Sequence, residues 1–204
     1  MRPLRIAVSA LISLVCLAAG AGDAEIRVAD PDDRPVADAV VALHPTTGEA
    51  PDPRAPLRAV IDQIDEEFVP YVSAVRAGTA VSFPNRDAIR HHVYSFSEAK
   101  KFELPLYKGV PAEPVVFDRA GTVVLGCNIH DWMLAYVYVV GTPWFAVTDS
   151  SGRVVFADLP TGEYRVEVQH PRLRDRVVNA AIDVDASVAR LTVALRLQPD
   201  LRRG

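Results

Sequence analysis

The chain has 204 residues, half of them apolar, 24% charged, with 16 Pro against 11 Gly and a net charge of −4. That length allows one or two domains with ample material for a core. Five His and little net charge argue against an electrostatic footprint for nucleic acid.

The N-terminus reads as a secretory signal peptide covering residues 1–21. Arg2 and Arg5 give a positive start, Ile6 to Leu17 is apolar, and Ala19-Gly20-Ala21 offers a small-residue cleavage site before Gly22. The apolar run is too short for a span and no basic stop follows it, so no membrane span is expected in the mature form. A lipid anchor on Cys16 is disfavoured by the bulky Val15 before it. Removing the two arginines from the 22 Lys and Arg leaves 20 against 26 Asp and Glu, a mature net charge of −6. Cleavage also removes Cys16 and Met1, so of 2 Cys and 2 Met in the chain the mature protein keeps Cys127 and Met133 alone. One cysteine in an oxidising compartment makes no internal disulfide, and metal ligation accounts for its presence better than a bare thiol would.

Alternating β-branched residues predict a strand at Ile26–Val28, a turn at 30–35 and a strand over Val36–Leu43. Residues 44–56 are Pro-rich and unpatterned, a linker or long loop. Strands are expected again at Arg58–Ile64, at Phe68–Val75 with an edge or sheet-switching bend at Pro70, and at Ala80–Phe83. A loop over 84–90 leads into His91-His92-Val93-Tyr94-Ser95-Phe96. Residues 97–114 predict a short strand among irregular connections, and Val115–Phe117 and Thr122–Leu125 are further strands.

The next stretch concentrates the chemistry. Cys127-Asn128-Ile129-His130-Asp131-Trp132-Met133 puts a thiol, an imidazole and a thioether on one short loop between β-rich runs, with Leu134–Val140 closing the sheet. A thiolate at a strand end, with His three residues on and Met three beyond it, supplies three donors of a trigonal His₂Cys site with a weak axial Met, the arrangement that holds copper for electron transfer. The remaining imidazole comes from His91 or His92. Successive strand residues point to opposite faces, so only one of the two can face the loop. The other histidines, His44 and His170, each stand near a Pro in outlying segments and read as structural or exposed. No second Cys accompanies Cys127, which excludes a binuclear copper centre. All coordinating positions are filled, so the chain is not expected to be an enzyme.

With Asn85…His91-His92-Val93 followed by Cys127-x₂-His130-x₂-Met133, residues 57–141 resemble the cupredoxin family of type 1 blue copper proteins. The loop spacing is amicyanin-like, shorter than the plastocyanin-like one. The resemblance implies one type 1 copper per chain held by His91, Cys127, His130 and Met133. It also implies supporting roles for Asn85 and for His92, whose backbone N–H is expected on the Cys sulfur; His at 92 departs from the commoner Asn. His130 is expected to emerge through an apolar patch formed by Ile129 and Trp132, while Trp144 is expected to pack between domains.

Beyond the loop the β theme repeats at Phe145–Thr148, Val154–Phe156, Tyr164–Val168, 177–184 and 189–197. Val28-x-Asp30, Arg34-Pro35-Val36-x-Asp38-Ala39-Val40-Val41-x-Leu43, Thr148-Asp149-x-x-Gly152 and Leu159-Pro160-x-Gly162-Glu163-Tyr164 resemble the prealbumin-like module of carboxypeptidase regulatory domains. The fold expected is therefore all-β: a Greek-key cupredoxin sandwich over 55–141, inserted in or flanked by a second small β-sandwich built from 22–54 and 142–204. The function expected is a periplasmic mononuclear carrier of single electrons. Its partner would be a redox protein such as a c-type cytochrome or a dehydrogenase. The alternatives are a copper-binding or delivery protein without electron transfer, or an accessory subunit of an amine-oxidising, methylamine-utilisation-like system.

Overall fold

The computed structural model describes residues 20–48, 51, 57–111, 113–174 and 177–200. The described residues form strands and turns with no α-helix: β1 Ala21–Ala29, β2 Val40–Pro45, β3 Arg58–Val60, β4 Asp62–Ile64, β5 Glu67–Val69, β6 Val72–Arg76, β7 Thr79–Ser82, β8 His91–Ser97 and β9 Lys100–Tyr107. The second half adds β10 Val115–Phe117, β11 Gly121–Gly126, β12 Leu134–Val140, β13 Trp144–Val147, β14 Arg153–Pro160, β15 Gly162–Gln169, β16 Val178–Val184 and β17 Val188–Ala194. The protein is all-β. The expected signal peptide lies outside the described residues except for Gly20 and Ala21, the latter opening β1.

Two apolar clusters organise the chain. One lies between the sheets β14-β1-β17 and β13-β2-β15-β16, around Ile26, Leu43, Phe156, Leu159, Tyr164 and Leu195. The other lies between the five-stranded sheet β6-β12-β11-β8-β9 and the sheet β10-β7-β3, around Ile61, Phe68, Phe83, Phe117, Leu125 and Val137. Phe83 anchors the second cluster, 1% exposed and 5.6 Å between ring centroids from Phe102.

A third cluster joins the two, and the period of two explains it. Along β2, Val41 and Leu43 face the first core while Val40 and Ala42 face the seam; along β12, Ala135, Val137 and Val139 face the second core while Tyr138 and Val140 face the seam. Strands covered on both faces read as unbroken apolar runs, as Val40-Val41-Ala42-Leu43 and Val137-Tyr138-Val139-Val140 do.

Several strand boundaries differ from the sequence expectation. The strand expected over Val36–Leu43 begins at Val40, because Thr148 ties down the preceding segment: its Oγ1 accepts from the Ala39 N–H at 2.9 Å and donates to the Val36 carbonyl at 2.8 Å. His44 belongs to β2 rather than to a linker, paired with Arg165. Arg58–Ile64 splits at Ile61 into β3, which pairs with β7, and β4, which forms a hairpin with β5. Pro70 does mark a change of sheet, since β5 stays in that hairpin while β6 pairs with β12. Residues 100–107 form a full edge strand, β9, where only a short one was expected. Its alternation is obscured by Pro105, which lacks a ladder N–H and sits where the β8–β9 register shifts.

Candidate metal centre

The hairpin β11–β12 carries the loop. Gly126 pairs with Leu134 to close it, Cys127 follows the last residue of β11, and Met133 precedes the first of β12. A turn brings the chain round, the Met133 N–H donating to the His130 carbonyl at 3.0 Å. A Cβ at Gly126, just before the cysteine, would lie 2.7 Å from Cζ of Tyr94, so a larger residue there would have to displace that ring. Cys127 is 4% exposed and Met133 1%, both packed into the second core cluster.

His91 opens β8 on the neighbouring strand. Its side chain, that of His130 and the Cys127 thiol are all buried, with one ligand atom from each lying within 4.8 Å of the others. That span is about twice a metal–ligand bond of roughly 2.0–2.3 Å, and it is the only such group among the described residues. The two imidazoles stand edge to face, centroids 5.1 Å apart.

Each ring nitrogen has a distinct environment. His91 Nε2 lies 2.7 Å from Oδ2 of Asp87, and His130 Nε2 lies 3.8 Å from Oε2 of Glu66. Nδ1 of both rings is buried without a hydrogen-bond partner. Asp87 also accepts the N–H groups of Asp65 at 2.8 Å and Glu66 at 3.0 Å. Burial pushes the Asp87 carboxyl up, but the Glu66 N–H, the His91 ring and the Asp65 N–H outweigh it and hold it below the ordinary carboxylate range. As a carboxylate it can only accept, so in the neutral imidazole His91 Nε2 carries the proton and Nδ1 keeps a free lone pair.

The donor set fits copper. Leaving a buried polar nitrogen unpaired is costly, about 1–3 kcal/mol each. Two such atoms, on rings grouped with a buried thiol, are what a metal would satisfy. One sulfur and two imidazole nitrogens, with a buried thioether beside them in the same cluster, suit a soft or borderline ion in a trigonal site better than the four strong ligands of structural zinc.

The other expected residues fall as follows. His92 turns away from this group, its Nε2 2.9 Å from Oε1 of Glu103 and its ring 5.6 Å from that of Tyr94. Asn85 is buried beside the strand that carries His91. It braces the loop before His91: Nδ2 donates to the carbonyls of Ile89 and Tyr107, both at 2.9 Å, and Oδ1 accepts from the Asp87 N–H at 2.9 Å. Ile129 and Trp132 are exposed, 49% and 52%, with the Trp132 ring 5.1 Å from that of His130. Trp144 packs edge to face on Tyr164 against the first core. Asp87 and Glu66 went unpredicted; the only available signal for Asp87 was a carboxylate four residues before His91.

No family model matches the chain, and no curated protein does. Among solved structures it is similar to a Cu-containing nitrite reductase (NirK) from Thermus scotoductus, at 23% identity over 48% of this chain and 25% of that one, TM-score 0.39. It is also similar to a purple cupredoxin from Nitrosopumilus maritimus, at 22% identity over 40% of this chain and 99% of that one, TM-score 0.36. A mutant amicyanin in its reduced Cu(I) form at pH 4 aligns at 23% identity over 49% of this chain and 98% of that one, TM-score 0.36. The aligned part thus spans about a quarter of the nitrite reductase and less than half of this chain.

Proposed function

We propose that the chain is a periplasmic mononuclear type 1 copper protein that carries single electrons between redox partners. The observation that carries the reading is the buried group of His91, Cys127 and His130, one ligand atom of each within 4.8 Å of the others, together with an Nδ1 atom without a hydrogen-bond partner on both rings. His91, Cys127, His130 and Met133 would hold the copper. Copper bound there supplies a one-electron couple.

What the chain contributes is fixity and insulation. Three of the four ligands hang on the β11–β12 hairpin and the fourth on the adjacent strand, with both sulfurs in packed hydrocarbon. Small reorganisation between oxidation states follows from that rigidity. Exposed Ile129 and Trp132 beside His130 form the contact face for a redox protein such as a c-type cytochrome or a dehydrogenase. The periplasmic location rests on the charge and hydropathy pattern of residues 1–21. Among the described residues no helix is long and apolar enough to cross a membrane. We read the strands around the first cluster as the prealbumin-like half, a discontinuous unit with the metal centre on an inserted segment.

A second reading, copper storage or delivery without electron transfer, draws on one observation: the His130 side chain is only 10% exposed, with Glu66 over its outer nitrogen. Stopped-flow reduction separates the two, fast exchange with a c-type cytochrome favouring the carrier and slow exchange the store. For the metal centre itself, titration with Cu(II) should produce an intense blue absorption saturating at one equivalent, absent in Cys127→Ser. A colourless complex would contradict it.

A further inference from the structure

The turn that joins β4 to β5 stands out in the backbone. Ile64 pairs with Glu67, and the two residues between them, Asp65 and Glu66, have φ of 54° and 60°. Tight hairpins ask for such angles and usually place Asn-Gly there; Glu in that region is uncommon. The conformation aims two successive N–H groups the same way, as in an anion-binding nest. They receive the Asp87 carboxylate at 2.8 and 3.0 Å, and its Oδ2 also meets His91 Nε2 at 2.7 Å. Asp87 is held from behind as well, through its own N–H on Asn85. The same turn carries the side chain whose Oε2 lies 3.8 Å from His130 Nε2.

We infer that the β4–β5 turn is the device that positions both imidazoles, with Asp87 and Glu66 as positioning residues whose negative charge favours the more highly charged oxidation state of the metal. The inference rests on the copper reading above. Asp87 fixes the tautomer and ring plane of His91, and Glu66 sets an anion behind His130. Carboxylates behind ligating imidazoles raise ligand basicity and are worth about 10–100-fold in metal affinity. Because the charge acts more on the divalent ion than on the monovalent one, its loss weakens Cu(II) binding more than Cu(I) binding. Each tenfold difference between the two raises the reduction potential by about 59 mV for a one-electron couple.

The test uses the full mature chain with Asp87→Asn, Asp87→Glu and Glu66→Gln. In copper-loaded protein, Asp87→Asn should keep the blue band, lose about 10–100-fold in Cu(II) affinity and shift the potential upward. Asp87→Glu should recover part of the shift, and Glu66→Gln, at an exposed side chain, should move the potential the same way by less. An unchanged potential in both Asp87→Asn and Glu66→Gln with the blue band intact overturns the inference and leaves the copper reading standing. In metal-free protein, ring ¹⁵N shifts should show His91 as the Nε2–H tautomer, lost in Asp87→Asn; an Nδ1–H tautomer in the unaltered chain overturns the inference. That readout needs no copper, so failure of the metal to bind is a separate result.

Discussion

The two core clusters obey the same packing rules and treat buried polar groups differently. Around the first, Thr148 is satisfied on both sides, Thr142 donates to the Leu43 carbonyl at 2.6 Å, and His170 Nδ1 accepts the Arg172 N–H at 3.0 Å. Its one orphan among the described residues is His44 Nε2, which still lies 3.7 Å from Glu167. The second cluster leaves Gln63 Oε1 and the Nδ1 atoms of His91, His92 and His130 without partners. A fold that can pair its buried polar atoms in one half and leaves them open in the other has reserved the second half for something other than stability.

Large-to-small changes should separate the halves most sharply. Phe83→Ala, in the second core, should lose about 3–5 kcal/mol of stability and weaken copper binding with it, while Leu43→Ala, in the first, should lose about 2–5 kcal/mol with copper affinity retained. Denaturant titrations with and without copper measure both, and equal loss of affinity in the two variants would mean the halves are not independent. Next comes a pair aimed at the polar atoms. Thr148→Val strands the Ala39 N–H and the Val36 carbonyl and should cost about 1–3 kcal/mol. His130→Leu in metal-free protein removes an unpaired nitrogen and should be neutral or stabilising. Similar losses for the two would make His130 an ordinary core residue.

How far the sequence carried this contrast depends on how local each signal is. The β11–β12 loop was legible as a candidate site because its thiol, imidazole and thioether lie within a single run, at a spacing that suits a shared ion. The choice between His91 and His92 was not legible from the residues themselves, since both are buried and the register shift opposite them involves β9, a strand masked by Pro105. The β4–β5 turn was invisible for a different reason. Asp65-Glu66 carries no Gly or Asn, and its conformation is sustained by Asp87, a contact between residues 22 and 21 positions apart. The first half was legible as turns and alternation, but the start of β2 was misplaced because a threonine distant in sequence, Thr148, holds Val36–Ala39 out of the sheet.

Smaller effects refine the picture. Met133→Gln should lower the reduction potential while leaving the equatorial donors in place, and an unshifted potential would remove Met133 from the ligand set. Alkaline stability should reflect the second core through Tyr107. Burial pushes its hydroxyl up to about 12, against an opposing hydrogen bond from Gln63. The folded state therefore favours the neutral phenol: that contribution is complete below the ordinary value of about 10 and lost as the pH rises through about 12. Tyr107→Phe should flatten the fall in denaturation midpoint across that window; an equally steep fall would assign it to other groups, such as buried Tyr138, whose hydroxyl burial also raises.

Copper K-edge X-ray absorption on the full chain loaded with one equivalent of metal looks at the ligands themselves. A shell of two imidazole nitrogens and one short sulfur, the sulfur vanishing in Cys127→Ser, is the expected result. A first shell of nitrogen and oxygen alone, unchanged by that substitution, would mean that the thiol and the two rings do not share an ion.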